Sequence, residues 1–215
     1  MAKRILAFMT VLAVFMLLVP IASARHKNDK NEPVKILYVP HDNRPISDKQ
    51  TAAVVAKLGY EVIVPPDEIL GDRQNLGQPE KIWSWLEQNV PQAQAAVISA
   101  DSMLYGSLVG SRKHEYSEQA VAARIAKFST LHKDNPKLPL YVFGSIMRTP
   151  KNSEASGHEE PAYYRSYGAD IFRYTVLEDK AEVEGLSMRE QKEMDFLREL
   201  IPENDLGDWL ERREK

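Results

Sequence analysis

Four short apolar runs, each set off from the next by a stretch of helical pattern, constrain this chain more than any other feature. They occupy residues 35–39, 60–64 and 95–99, with the fourth inside 138–146. Between them lie segments of helical composition. Residues 48–58 have Ser47 or Asp48 as a cap and Gly59 as a stop. Residues 79–89 start on Pro79, which suits a first helical turn, and place Ile82, Trp83 and Leu86 on one face. Residues 117–133 carry Val121, Ile125, Phe128 and Leu131 near helical spacing. Strand and helix in alternation require crossovers, and crossovers make neighbouring strands parallel. The strands are almost continuously apolar, as strands covered by helices on both faces must be. An α/β fold with a doubly wound parallel sheet is the first expectation. Part of a (β/α) barrel is the alternative, because four such units are half a barrel.

The α/β pattern is assigned to residues 34–177. Its last part, 162–177, reads as a helix rich in aromatics: Tyr163, Tyr164, Tyr167, Phe172 and Tyr174. Tyr at that spacing fits a core face, or a platform for sugar rings. From residue 178 to 215 the chain becomes a charged tail. It reads as two exposed amphipathic helices, 187–200 and 205–213, split by Pro202. Met194, Leu197 and Ile201 share one face, and Leu206, Trp209 and Leu210 another, so each needs a cover. With no capping signal at Lys215, the tail is expected to be a truncated continuation.

The first 24 residues have the three parts of a cleavable secretory signal. Lys3 and Arg4 form a basic start, residues 5–19 are uncharged and apolar, and Ala22-Ser23-Ala24 supplies small residues before an expected cut at Arg25. An uncleaved anchor is the alternative, but it wants about 20 apolar residues, which this stretch barely reaches. Residues 25–33 form a polar linker. The expected location is secreted or extracytoplasmic, with no stable membrane span after cleavage.

Loss of Lys3 and Arg4 with the leader takes the formal net charge from −3 to −5. That balance argues against a nucleic-acid partner, which calls for a basic stripe. Cys is absent altogether, so an exported form has no disulfides and no thiolate chemistry, and packing alone must hold the fold.

Ligands of open α/β sheets bind beyond the carboxyl ends of the strands. Residues 40–45 (PHDNRP), 101–107 (DSMLYGS) and 147–150 (MRTP) follow the first, third and fourth runs. Asp42 and Asp101 are the candidate catalytic pair, able to divide acid and base or nucleophile roles, or to hold a divalent cation through oxygen. Each can also serve only as a cap or turn residue. Arg44, Arg112 and Arg148 suit anionic groups, or orient those carboxylates. His41 can act as acid, base or ligand. Ser102 and Tyr105 are candidate ligand hydrogen-bonders. The glycines of residues 106–111 match no nucleotide-binding pattern, no Gly-x-Ser-x-Gly elbow occurs, and no paired-His spacing specifies zinc. The cofactor and the oligomeric state stay unspecified.

Residues 40–45, the segment 101–112 (DSMLYGSLVGSR) and residues 146–150 (IMRTP), in that order and spacing, resemble the recurrent motifs of a bacterial family catalogued as domain of unknown function 4127. The resemblance covers about residues 34–200. It implies that the three motifs share one site, and that this chain looks like the amino-terminal part of a protein typically twice as long. Family members often have a second glycine where Ser107 stands, so a side chain there is expected to narrow the loop. The resemblance supplies no reaction. Export and paired carboxylates together point to an enzyme, or enzyme fragment, acting on a carbohydrate or cell-envelope glycan. The alternatives are a non-catalytic module that binds an envelope ligand, and an inactive truncated fragment.

Overall fold

A computed structural model of the chain describes residues 32–151 and 159–214. The expected leader, nearly all of the linker and the middle of the loop at 149–161 lie outside the described residues. Four parallel strands form one open sheet: β1 (Val34–Val39), β2 (Tyr60–Ile63), β3 (Ala95–Ser99) and β4 (Leu140–Phe143), in the order β2-β1-β3-β4. In a barrel the strands would follow sequence order, with β2 between β1 and β3. Here β1 holds that place, so the doubly wound expectation stands and the barrel alternative does not. The chain leaves β1 to one side and returns to its other side, which makes the β1–β3 gap the switch point where such sheets bind ligands.

Register follows from burial. Leu37 pairs with Ala96 and Val39 with Ile98, and all four point into one core. Helix α2 (Pro79–Asn89) covers them with Ile82, Trp83 and Leu86, and α5 (Glu118–Asp134) adds Leu131. Ser117 caps α5 by accepting from the Ala120 N–H at 3.3 Å. The other sheet face carries α1 (Lys49–Ala56), which has no buried residue and ends before Gly59 at φ +92°. Asp48 occupies the N-cap position of α1 as expected, but its side chain makes no cap bond.

Two short helices stand where only loop was expected. Helix α3 (Ala100–Tyr105) starts directly off β3, capped by Ser99, and ends on Gly106 at φ +94°. Helix α4 (Gly110–Lys113) follows at once. The strand ends at Ser99 as expected, but a helix that starts at the next residue and runs for only 6 is too short to set its own period and stays hidden.

The last three helices correct the picture of an exposed tail. They are α6 (Tyr164–Val183), α7 (Met188–Leu200) and α8 (Glu203–Glu214). Helix α7 begins with a full capping box between Ser187 and Glu190. Leu197, Ile201, Leu206 and Trp209 are buried against Tyr164, Ile171, Tyr174 and Leu177 of α6 in a second core. The amphipathic faces are therefore covered from within the chain, and the aromatic helix supplies the cover. Among the described residues no helix is long and apolar enough to cross a membrane.

Candidate functional site

The sequence Pro40-His41-Asp42 leaves β1 where Ser99-Ala100-Asp101 leaves β3, so two motifs 60 residues apart meet at the switch point. His41 Nδ1 lies 3.0 Å from Asp101 Oδ2. The Ser99 hydroxyl is 3.1 Å from the same ring nitrogen. Behind β4, Ser145 donates its hydroxyl to Asp101 Oδ1 at 2.8 Å and its backbone N–H to Oδ2 at 3.1 Å. The Phe143 ring meets the imidazole edge-on at 4.8 Å. Three strand ends thus fix one carboxylate and one imidazole.

Asp101 is 5 % exposed. Burial pushes its carboxyl up, but the bonds from His41 and Ser145 outweigh burial and hold it below the ordinary carboxylate value. His41 is engaged through Nδ1, and Nε2 makes no hydrogen bond among the described residues. An imidazole held at Nδ1 by a carboxylate has a defined orientation and one nitrogen left for a proton.

Asp42 is fully buried but faces a different partner. Arg44 donates Nε at 2.8 Å and places Nη2 at 2.6 Å to Oδ2, while its own backbone N–H reaches Oδ1 at 3.1 Å. The bond to Asp42 raises the Arg44 guanidinium above its ordinary value. This closed pair sets Arg44 on an open cleft lined also by Gln50, Asp72, Arg73 and Gln74. The two candidate carboxylates therefore have separate partners: Asp101 holds an imidazole, and Asp42 a guanidinium.

Ser102 and Tyr105 are buried. The Ser102 hydroxyl donates to the Pro40 carbonyl at 2.5 Å, tying α3 to the end of β1. Tyr105 stacks on His114 at 4.5 Å. Arg112 and Arg148 come together around Glu159 and Glu160. Among the described residues no group of three His, Asp or Glu side chains is placed to hold a metal ion.

Sequence reasoning missed Ser99, Phe143, Ser145, Arg73, Glu159 and Glu160. Ser99 and Ser145 are single hydroxyls at strand ends, and no spacing signal marks them. Glycines at 71 and 77 were also silent, and Gly106 stood out only as part of a stretch that matches no nucleotide-binding pattern. The Gly71 N–H donates to the Gly106 carbonyl at 3.2 Å, and the Leu108 N–H to the His41 carbonyl at 2.9 Å, so the loop after β2, the turn after α3 and the end of β1 interlock. Ser107 does narrow this junction. It is fully buried, its hydroxyl accepts the Gly110 N–H at 2.9 Å, and a Cβ added at Gly71 would fall 2.5 Å from its Cβ.

Comparison with curated proteins and with solved structures finds no match. The family model described as protein of unknown function (DUF4127) matches residues 36–215, which takes in all three motifs, nearly the whole sheet and the three terminal helices. The chain therefore belongs to the DUF4127 family of proteins of unknown function.

Proposed function

We propose that this chain is an extracytoplasmic acid–base enzyme, or the part of one that carries the base, acting on a carbohydrate or cell-envelope glycan. The observation that carries the reading is the 3.0 Å contact between His41 and Asp101 at the β1–β3 switch point. In this reading His41 exchanges a proton with substrate through Nε2. Asp101 is a positioning residue: it fixes the ring and stabilises the imidazolium that forms. Asp42 acts through Arg44, which it holds at the cleft for polar groups of the ligand. Export rests on the leader pattern of residues 1–24, and the glycan class rests on export together with a cleft that sets Arg44, Gln50, Asp72, Arg73 and Gln74 beside the apolar Pro45 and Ile46.

The test is turnover by the full chain on aryl glycosides and isolated peptidoglycan, read as release of reducing ends. His41→Gln should lower the rate by about 10²-fold or more, the usual worth of a general base. Asp101→Asn should lower it too, and should displace the pH profile of kcat/KM, which a merely structural residue would leave in place. Turnover at the parent rate in both variants, with circular dichroism unchanged, would sink the assignment. Saturable glycan binding without turnover would favour a binding module on the same rim.

A further inference from the structure

Away from the His41–Asp101 pair, several charged side chains of the described residues gather around Glu159 and Glu160. Three arginines reach it from three segments: Arg73 from the loop after β2, Arg112 from α4 and Arg148 from beyond β4. Arg73 Nε is 3.3 Å from Glu159 Oε1. Arg112 Nη1 is 3.4 Å from Glu159 Oε2 and 3.3 Å from Glu160 Oε1. Arg148 Nη2 is 3.6 Å and 3.7 Å from the same two oxygens.

These contacts are long. Charge-assisted bonds usually close to about 2.7–2.9 Å. Elsewhere this chain achieves that: 2.6 Å for Arg44–Asp42, and 2.7 Å for both Arg173–Glu193 and Arg212–Asp208. Around Glu159 and Glu160, three guanidinium groups meet two carboxylates without one short bond. Glu160 is the poorer occupant. Its side chain is fully buried, and its Oε2 has no hydrogen-bond partner among the described residues. Burial pushes its carboxyl up to about 7 even though Arg112 and Arg148 pull the other way. Glu159 beside it adds repulsion, and Tyr164 on α6 packs within its field. The arrangement is a cationic receptor filled by groups that fit it badly.

We infer that Arg73, Arg112 and Arg148 form a receiving site for a phosphate-type oxyanion, and that Glu159 and Glu160 stand in for that anion in the free chain. A tetrahedral dianion presents oxygens on several sides and can meet three guanidinium forks at once, whereas the two carboxylates here come no closer than 3.3 Å to any of them. Free phosphate and a sugar phosphate ester offer the same group. The inference is independent of the acid–base reading, since binding is measured without turnover and either can fail alone.

The experiment is calorimetric titration of the full chain with inorganic phosphate at low ionic strength, repeated with glucosamine 6-phosphate. Arg73 and Arg148 are exposed enough to replace without disturbing a core. Arg73→Ala and Arg148→Ala should each weaken phosphate binding by about tenfold. Arg173→Ala, whose guanidinium belongs to a remote pair, should leave it unchanged. Glu160→Gln should tighten binding above pH 7 by removing the competing charge. Tighter binding of the ester identifies a sugar phosphate as the ligand source, and equal binding identifies the free ion. No saturable binding by the parent chain overturns the inference, as does equal weakening by Arg73→Ala and Arg173→Ala.

Discussion

His41 Nδ1 and Asp101 Oδ2, 3.0 Å apart, join the ends of β1 and β3 at the one gap in the sheet where the direction of winding reverses. The contact is structural before it is chemical, because Asp101 also takes both bonds from Ser145 behind β4. Asp101→Asn replaces a charged acceptor with an amide and should cost about 1–3 kcal/mol at neutral pH. The pH dependence has a definite sign. The Asp101 carboxyl is held below its ordinary value in the folded chain, so its stabilisation is present above the ordinary carboxylate range and is lost as pH falls through the folded value. Urea denaturation near neutrality and in acid should therefore show a difference between parent and variant that shrinks in acid. A difference that holds or grows in acid would contradict this account.

Gly71 and Ser107 form a complementary pair. A Cβ at position 71 would lie 2.5 Å from Ser107 Cβ and 2.8 Å from the Asn75 carbonyl. Gly71→Ala should destabilise the chain by about 1–3 kcal/mol, as overpacking of a tight site does. Ser107→Gly alone loses the acceptor for the Gly110 N–H and should cost about 1 kcal/mol. The double variant should recover part of the loss, and only part, because the clash with Asn75 remains. A thermal-denaturation double-mutant cycle reads the coupling, and strict additivity would count against it.

Much of the sheet was legible in the sequence because its signals are local. Pro79 and Ser117 mark helix starts, Gly59 marks a stop, and the runs at 60–64 and 95–99 are bounded by Pro or polar residues. The site was legible only in part. His41, Asp42 and Asp101 announce themselves by type and by place after a strand. Which of the two carboxylates meets the imidazole does not, because it depends on strand order, and strand order is a nonlocal property. Ser145 and Glu160 are further cases: one contributes a backbone N–H and a hydroxyl from across the sheet, and the other is a glutamate among many until burial singles it out. The tail was misjudged for the same reason. Leu197 and Trp209 looked uncovered along the chain because their cover, Tyr164 and Ile171, lies in a helix that was assigned to the other unit.

Asp48 presents a buried carboxylate, at 1 % exposure, with no hydrogen bond to either oxygen among the described residues. Burial raises its carboxyl and the nearby Asp67 adds to the shift, against a smaller opposing pull from Lys49. A raised acid binds its proton more tightly in the folded chain, so its contribution to stability falls as pH rises through the ordinary carboxylate range to the folded value. Asp48→Asn keeps the shape and removes the charge. It should stabilise the chain near neutral pH by about 1 kcal/mol, because the buried charge is lost while an unpaired buried amide remains. The advantage should vanish in acid, where Asp48 is protonated in both states. Denaturation midpoints at the two pH values decide it; a variant less stable than the parent near neutrality would mean that Asp48 has a partner it keeps charged for.

Trp209 holds the second core together, and its replacement separates volume from polarity. The ring is fully buried and lies 4.3 Å from the Tyr164 ring, centroid to centroid. Its indole N–H has no acceptor among the described residues. Trp209→Ala opens a cavity between α6, α7 and α8 and should cost about 3–5 kcal/mol. Trp209→Phe keeps most of the ring, preserves the aromatic contact and removes the unpaired donor, whose burial is itself unfavourable. It should cost about 1 kcal/mol or less, because the donor removed offsets the volume lost. Arg212 also ties α8 to the α/β part by donating to the His114 carbonyl at 2.8 Å. Loosening of α8 in the alanine variant should therefore expose residues 203–214 to protease before the sheet unfolds. Amide exchange resolved by segment checks the order of events, and uniform loss of protection across both cores would show that they unfold as one unit.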